Sequence, residues 1–538
     1  MAELDQFNDE TRLGDCLDHH AENHADRVAV RDAQTSLTYA ELRAEVMRCT
    51  RALYSAGVRA GDRIATLAAP RAEVMVIFLA AAKLGVLWLG LNPKYTQREL
   101  HYVVSDARPK LIFGIREHEG RDYAADLLEI RRVHSSIART VGLDGISGYD
   151  VSFADWLDEP DSADRVLAVE LAVAAVNSEA AALLVYTSGS SGRPKGVQLR
   201  QRELLRRSRT QNEQFPATPY PRVMNPLPIN HIGGMHFLSL FTFVGAGTIT
   251  LVDKHRPADF VRAIKAGEIN MLYTLPTMFQ MLAEHPAFER GMLDQLQWVI
   301  YSGAAMPGSL IDILFAAKCN VGLTYGMTES CGSVTYARKD GYNRDVMMNT
   351  IGYPTPPGEV RVARTDGTVC DVGEDGEIQV RARYCMKSYF ERPAETEAVF
   401  TDGWLKTGDI ARVCQDGSIQ FIGRMSEMFK SGGYNVYPRE IELALEEHPQ
   451  VVLSAVVGLP DPLFDEVGWA YVSQQPGSHL TEESLKAWCA EQLASYKIPK
   501  RFIVSNALPM LPVGKVDKVS LKKEARTTLE KEAATDKL

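Results

Sequence analysis

Between about residues 37 and 330, short runs that are apolar on both faces alternate with amphipathic segments of helix length. The runs are RIATLAA (Arg63–Ala69), VLWLGL (Val86–Leu91), KLIFGI (Lys110–Ile115), AALLVY (Ala181–Tyr186), TITLV (Thr248–Val252), MLYTL (Met271–Leu275), WVIYSG (Trp298–Gly303) and VGLTYG (Val321–Gly326). A strand with no polar face needs cover on both sides, so these runs belong inside layered sheets. Tyr39–Ala56 and Pro257–Ala266 are the clearest intervening helices. Strand–helix alternation on this scale predicts an α/β fold with mainly parallel sheets.

The pattern changes after about Thr350. Short runs with Gly- and Asp-rich turns (TDGTV, EDGEIQV, QDGSIQFIG) predict a β-rich, antiparallel or barrel-like subregion over about 350–425. Beyond Gly433 comes a small α+β module: helix Pro438–Glu447 with an acidic face, strands Leu453–Val457 and Gly468–Ser473, helix Thr481–Ala494, strand Arg501–Ser505. The Lys/Glu-rich tail from Leu521 to Leu538 reads as a solvated, frayed helix.

With 59 Lys+Arg against 69 Asp+Glu, the formal charge is −10. That balance argues against nucleic acid or an anionic membrane as the main partner, so an anionic ligand must be held locally by particular loops. Eight scattered cysteines without a CxxC pair suggest reduced thiols, not a zinc site or disulfide frame. The N-terminus MAELDQFNDE is acidic where a secretory signal needs positive charge. Val74–Leu91 is marginal for a membrane span and is broken by Lys83, Gly85 and Gly90, so it reads as a buried helix running into a buried strand. A soluble, cytoplasmic enzyme is the expectation.

Four loops carry chemistry. YTSGSSGRPKG (Tyr186–Gly196) follows a strand with hydroxyls at Thr187, Ser188, Ser190 and Ser191, glycines at Gly189 and Gly192, and a cation at Lys195. Its N–H groups and hydroxyls can surround phosphate oxygens. It is not a Walker loop, because Pro194 and Gly196 stand where that motif needs Gly and Ser or Thr. TYGMTES (Thr324–Ser330) offers the aromatic face of Tyr325, close approach at Gly326, the hydroxyl of Thr328 and the carboxylate of Glu329, an oxygen ligand suited to Mg²⁺. DGWLKTGD ends at Asp409, with Arg424 fifteen residues later, and LPVGKVDK presents Lys515 after Gly514. Taken singly, each has a plain alternative: a surface turn, a helix N-cap, a structural Asp–Arg pair, a solvated lysine.

Together these loops, with LTYAEL, PLPINHIGG, SGAA, GRMSEMFKSGGYNVYPREIE and YKIPKRF in order along nearly the whole chain, resemble the adenylate-forming superfamily of acyl-CoA synthetases. The resemblance implies activation of a carboxylic acid by Mg-ATP to an acyl-adenylate, then displacement of AMP by the thiol of coenzyme A. It implies a large N-terminal domain (1–425) and a mobile C-terminal domain (427–538) turning about Ser426. By resemblance, Thr187 to Lys195 hold the β- and γ-phosphates. Ser302, Gly303, Ala304 and Ala305 line the adenine and acyl-carboxylate side, with Tyr325, Gly326 and Met327 at the adenine. Thr328 contacts the α-phosphate, Glu329 the Mg²⁺, Asp409 the ribose and Arg424 the ribose or phosphate. Lys515 bridges the substrate carboxylate and α-phosphate. Ser431, Gly432, Gly433 and Tyr434 line the coenzyme A tunnel, where the glycines leave room for pantetheine. His231, Gly233, Gly234, Gly303, Ala304 and Gly332 border the acyl pocket.

Some positions depart from the family pattern. Ser426 replaces the usual Asp or Lys at the hinge and Glu427 follows where Asp is common, Ser191 replaces Thr in the phosphate loop, and Met510 stands where a basic residue often precedes the last lysine motif. No Lys or Arg in His231–Leu238, Ser302–Ala305 or Thr328–Val334 calls for a second acidic group on the substrate, so an uncharged chain or ring is expected. Fatty, aryl and sterol- or terpene-derived acids all remain open. So do the oligomeric state, monomer or homodimer, and two alternatives: loading of a carrier-protein phosphopantetheine, and a catalytically silent nucleotide-binding relative.

Overall fold

Two sheets form the centre of the N-terminal domain, and seven of the eight strands read from the sequence lie in them, Thr248–Leu251 lying in a third. The computed structural model describes the chain except residues 1–3, 5, 159–162, 189–192, 342, 357–358, 512–514 and 536–538. The eight-stranded sheet runs in the order Ser388–Tyr389, Pro194–Arg200, Ala181–Ser188, Leu87–Leu91, Arg63–Leu67, Leu111–Gly114, Arg139–Gly142, Val151–Ser152. Its strands from Ala181–Ser188 onward are mutually parallel, and every residue of Leu87–Leu91 and Leu111–Gly114 is buried, as two-sided cover demands. The five-stranded sheet has the order Met271–Thr274, Trp298–Ser302, Asn320–Met327, Gly332–Arg338, Tyr353–Pro354; the first three are parallel. A four-stranded sheet adds Arg222–Asn225, Thr248–Leu251, Val28–Arg31 and Ser36–Thr38.

The apolar stretch after Arg71 is helix Ala72–Lys83, buried at every residue but Glu73, followed by strand Leu87–Leu91. Lys83, buried in that helix, is neutralised by Asp18 at 2.5 Å. Among the described residues no helix is long and apolar enough to cross a membrane. Gly233–Leu240, which begins at the last two residues of PLPINHIGG, forms a π-helix, a shape to which periodicity was blind.

The β-rich subregion is a five-stranded antiparallel sheet: Val360–Ala363, Asp375–Arg381, Trp404–Val413 and Phe400–Thr401, with Ile419–Arg424 on the other side of Trp404–Val413. Ser388–Tyr389 leaves it to join the eight-stranded sheet. The C-terminal domain has its own sheet (Tyr434–Val436, Phe429–Ser431, Asp465–Gln474, Val451–Asp461, with Arg501–Ser505 parallel to Asp465–Gln474) and two apolar clusters. The hairpin Val451–Asp461/Asp465–Gln474 is longer than the apolar runs predicted, because its distal ends pair through polar residues up to Asp461 and Asp465.

Two expectations for this domain need correction. The tail is not a frayed helix in solvent: Lys518–Thr535 docks, with Leu521 and Ala525 buried against Ala455, Val457, Leu459 and Trp469. Its charged residues hide a narrow apolar stripe. Helix Pro438–Glu446 does not give its whole acidic face to water either, since buried Glu442 is held by Lys518 at 2.8 Å and Arg439 at 3.4 Å.

Candidate active site

The Gly/Ser-rich loop connects the antiparallel strands Ala181–Ser188 and Pro194–Arg200, whose register sets Thr187 opposite Lys195. A hairpin cradle differs in kind from the strand-to-helix turn of a Walker loop. Gly189, Ser190, Ser191 and Gly192 lie outside the described residues, as does the side chain of Ser188. Lys195 Nζ stands over the Tyr389 ring, 5.0 Å from its centroid. The Tyr389 hydroxyl donates to Glu329 Oε1 at 3.0 Å, and Thr187 Oγ1 donates to the same oxygen at 3.4 Å. Burial raises the Glu329 pKa above the usual carboxylate range, partly offset by its own backbone N–H, Tyr389, Arg424 and Thr187. Glu329 is 7% exposed. Such a carboxylate, beside Thr187 and Lys195, fits a divalent cation whose remaining ligands are phosphate oxygens. Among the described residues no cluster of three or more His, Cys, Asp or Glu offers a complete protein cage.

The opposite wall is the carboxyl edge of the five-stranded sheet, where parallel register pairs Ser302 with Thr324. Crevices outside such strand ends are where α/β sheets bind ligands. Gly303 and Ala304 follow, exposed to the cleft. Gly303 has φ +84°, and a Cβ on it would stand 3.1 Å from Leu275 Cδ2 and 3.6 Å from Lys515 Cε. Lys515, from the C-terminal domain, therefore reaches this edge. Its side chain keeps contact with solvent, yet crowding by the cleft lowers its pKa: desolvation first, then Arg424, with Asp409 and Glu427 opposing.

Tyr325 Oη donates to Asp409 Oδ2 at 2.7 Å, and Arg424 Nε reaches Asp409 Oδ1 at 3.1 Å. Antiparallel register between Trp404–Val413 and Ile419–Arg424 sets Asp409 directly opposite Arg424. Burial raises the Asp409 pKa, and Arg424, Tyr325 and Lys515 pull it back. His231 is held neutral, its pKa lowered to about 4 by burial first and by Lys515 second. Its Nδ1 accepts from the Gly233 N–H at 3.1 Å. Thr328 is buried in the tight turn that follows strand Asn320–Met327, its carbonyl accepting from the Cys331 N–H at 3.0 Å.

Three glycines have roles other than leaving ligand room. A Cβ on Gly234 would stand 2.4 Å from the Pro228 carbonyl oxygen, one on Gly326 2.1 Å from that of Gly332, and one on Gly332 2.9 Å from the His236 ring. They permit close backbone packing. The SGGYNV loop is a two-residue hairpin turn in which Ser431 pairs with Tyr434. Gly432 and Gly433 have φ +58° and +87°, so the turn itself demands glycine. Tyr434 stacks on Tyr496 with ring centroids 4.4 Å apart. Ser426 lies exposed in the turn between Ile419–Arg424 and Phe429–Ser431.

Tyr389 carried no sequence signal, since its strand has two residues and only cross-sheet pairing brings it to Lys195 and Glu329.

The sequence profile described as AMP-binding enzyme matches residues 17–390, and that described as AMP-binding enzyme C-terminal domain matches 440–515. The chain is similar to a feruloyl-CoA synthase from Amycolatopsis sp (31% identity over 91% of this chain and 94% of the relative) and to a long-chain-fatty-acid–CoA ligase from Mycobacterium tuberculosis (28%, 92% and 94%). Among solved structures, the o-succinylbenzoate CoA synthetase of Bacillus subtilis, in complex with its acyl-adenylate intermediate, superposes with a TM-score of 0.79 at 27% identity, covering 95% of this chain and 98% of that one. Profile match and full-length similarity agree with the geometry: the chain belongs to the AMP-binding enzyme family.

Proposed function

We infer that the protein is an AMP-forming acid–thiol ligase: it joins a carboxylic acid to AMP at the expense of ATP, then transfers the acyl group to the thiol of coenzyme A. The observation that carries the reading is the meeting of Lys515 with Gly303, Asp409 and Arg424 in one cleft.

A carboxylate is a poor electrophile, because its leaving group would be oxide. Attack on the α-phosphorus installs AMP as leaving group but brings two anions together, so fixed cations and N–H dipoles lower the barrier. Thr187, Lys195 and the hairpin loop hold the β- and γ-phosphates. Tyr389 orients Glu329, which with the phosphates would hold Mg²⁺; the cation supplies charge neutralisation at the departing pyrophosphate. Asp409 accepts from the ribose hydroxyls while Arg424 keeps it ionised, and Tyr325 borders the adenine. Protonated Lys515 bridges the incoming carboxylate and the α-phosphate beside Gly303. Neutral His231, whose pKa Lys515 helps to lower, takes no charge that would repel Lys515.

In the second step Lys515 withdraws as the C-terminal domain turns about Ser426, and the Gly432–Gly433 hairpin enters in its place, with Tyr434 on the path of the thiol. The hairpin's missing side chains leave that path open.

The test is pyrophosphate exchange into ATP across a broad acid panel, followed by thioester formation with coenzyme A and, separately, with a phosphopantetheinyl carrier protein. Exchange with no acid by nucleotide-binding protein would remove the reading. Thioester on the carrier alone would change the acceptor.

A further inference from the structure

Both strands that carry the Gly/Ser-rich loop are tied to one helix that lies outside every motif. Helix Gln97–Ala107 buries Leu100, Val103, Val104 and Ala107 in the core, and its Tyr102 and Asp106, one turn apart, reach the hairpin. Tyr102 Oη donates to the Pro194 carbonyl at 2.9 Å, on the strand that carries Lys195. Tyr186 Oη, on the strand that carries Thr187, donates to Asp106 Oδ2 at 2.8 Å. The helix therefore grips both stems of the hairpin, each at the residue next to a side chain read as holding phosphate.

The other oxygen of Asp106 reaches a third stretch. Arg392 Nη2 donates to Asp106 Oδ1, and Arg392 closely follows Tyr389, the residue that meets Lys195 and Glu329. The Asp106 side chain is only 13% exposed and that of Arg392 32%, so this charge-assisted contact is partly withdrawn from water, where it is stronger. The backbone holds the same segment to the site: the Phe390 N–H donates to the Gly196 carbonyl at 2.7 Å, and the Met386 N–H to the Glu329 carbonyl at 2.7 Å. An open cavity of about 420 Å³, with Ser388, Tyr389, Arg392 and Thr396 in its lining, flanks the segment. Packing does not fix it on that flank, which leaves more of its position to the ion pair.

We propose that Asp106 is a positioning residue for the nucleotide's outer phosphates: through Tyr186 and Arg392, and with Tyr102 one turn before it, it sets Thr187, Lys195 and the Tyr389–Glu329 contact in place relative to one another. This rests on the reading that the hairpin holds the β- and γ-phosphates. Asp106 touches no ligand; it fixes the groups that do, and misplacing such groups by ~1 Å can cost roughly 100-fold. The outer phosphates belong to ATP and pyrophosphate and are absent from AMP and acyl-adenylate. Loss of Asp106 is therefore selective among ligands, which a general support of the fold would not be.

The experiment measures KM for ATP and for pyrophosphate in the exchange reaction, and Kd for ATP and for AMP by calorimetry, in wild type, Asp106→Ala, Asp106→Asn and Tyr186→Phe. Asp106→Ala lowers the ratio of ATP to AMP affinity about 10-fold and raises both KM values, while thiol attack on premade acyl-adenylate keeps its rate. Asp106→Asn, which still accepts from Tyr186 but no longer neutralises Arg392, falls between. Should Asp106→Ala fail to fold, Tyr186→Phe, which removes a single hydroxyl, reads the hairpin arm alone and lowers the ratio several-fold. Equal loss of ATP and AMP affinity makes Asp106 a general support of the fold and overturns the proposal, as does an unchanged ratio. Lys195→Met in the same assay tests the reading beneath it: a ratio that survives this change takes the phosphates away from the hairpin, whatever Asp106 does.

Discussion

Lys515 Cε lies 3.6 Å from the point that a Cβ on Gly303 would occupy, so the terminal domain is docked with its lysine at the edge where an acyl carboxylate and an α-phosphate would meet. Lys515→Ala is expected to slow pyrophosphate exchange by roughly 100-fold or more, while thiol attack on premade acyl-adenylate continues. Parallel measurement of the two half-reactions checks this, and equal loss of both would contradict alternation of the domain.

The same crowding predicts a pH profile. The proposed role of Lys515 is that of a cation, and its pKa is lowered, by desolvation first and Arg424 second. Adenylation therefore falls as pH rises through that lowered pKa, below the range of a free lysine. Lys515→Arg, which stays charged, should remove the alkaline limb from the exchange rate even if the plateau is lower. A limb that persists in this variant belongs to another group.

Tyr389 links the phosphate hairpin to Glu329. Removing its hydroxyl in Tyr389→Phe takes away a donor that holds the Glu329 pKa down. The Mg²⁺ concentration for half-maximal exchange is expected to rise about 10-fold, more at pH 6 than at pH 8. A titration with Mg²⁺ at fixed ATP reads it; an unchanged midpoint would detach Tyr389 from the cation site.

Ser426 sits in an exposed turn whose neighbour Glu427 is tied to the C-terminal body through Lys518. Stiffening the turn with Ser426→Pro should slow thioester formation several-fold more than pyrophosphate exchange. Stopped-flow comparison of the two steps decides it, and unchanged overall turnover removes Ser426 as the pivot.

Lys518 also secures Glu442. Desolvation would raise the Glu442 pKa, but Lys518 and Arg439 outweigh it and hold the carboxyl below its usual range. The group's contribution to stability is therefore full above the unfolded carboxylate pKa and lost as pH falls through the lower folded one. Lys518→Met, which strands a buried carboxylate, should cost roughly 3–5 kcal/mol in denaturant unfolding of the C-terminal domain at neutral pH. A cost below about 1 kcal/mol would mean that Arg439 alone suffices.

The legible part of this protein is local in origin. Strands such as Leu87–Leu91 and Trp298–Ser302 could be read because burial on both faces writes an uninterrupted apolar run. Less was legible where a residue's type admits several environments. Gly432 and Gly433 are demanded by turn geometry, the Lys/Glu-rich tail hides an apolar stripe of Leu521 and Ala525, and the π-helix has no periodic signature.

By itself the sequence determined the layered α/β body, the order of its chemical loops and the family to which they belong, because each depends on neighbours a few residues apart. Only the tertiary structure decided that Tyr389 reaches Glu329 and that Lys515 lies at Gly303. Those meetings join segments far apart in the chain, and burial and sheet pairing, which select them, are properties of the packed whole.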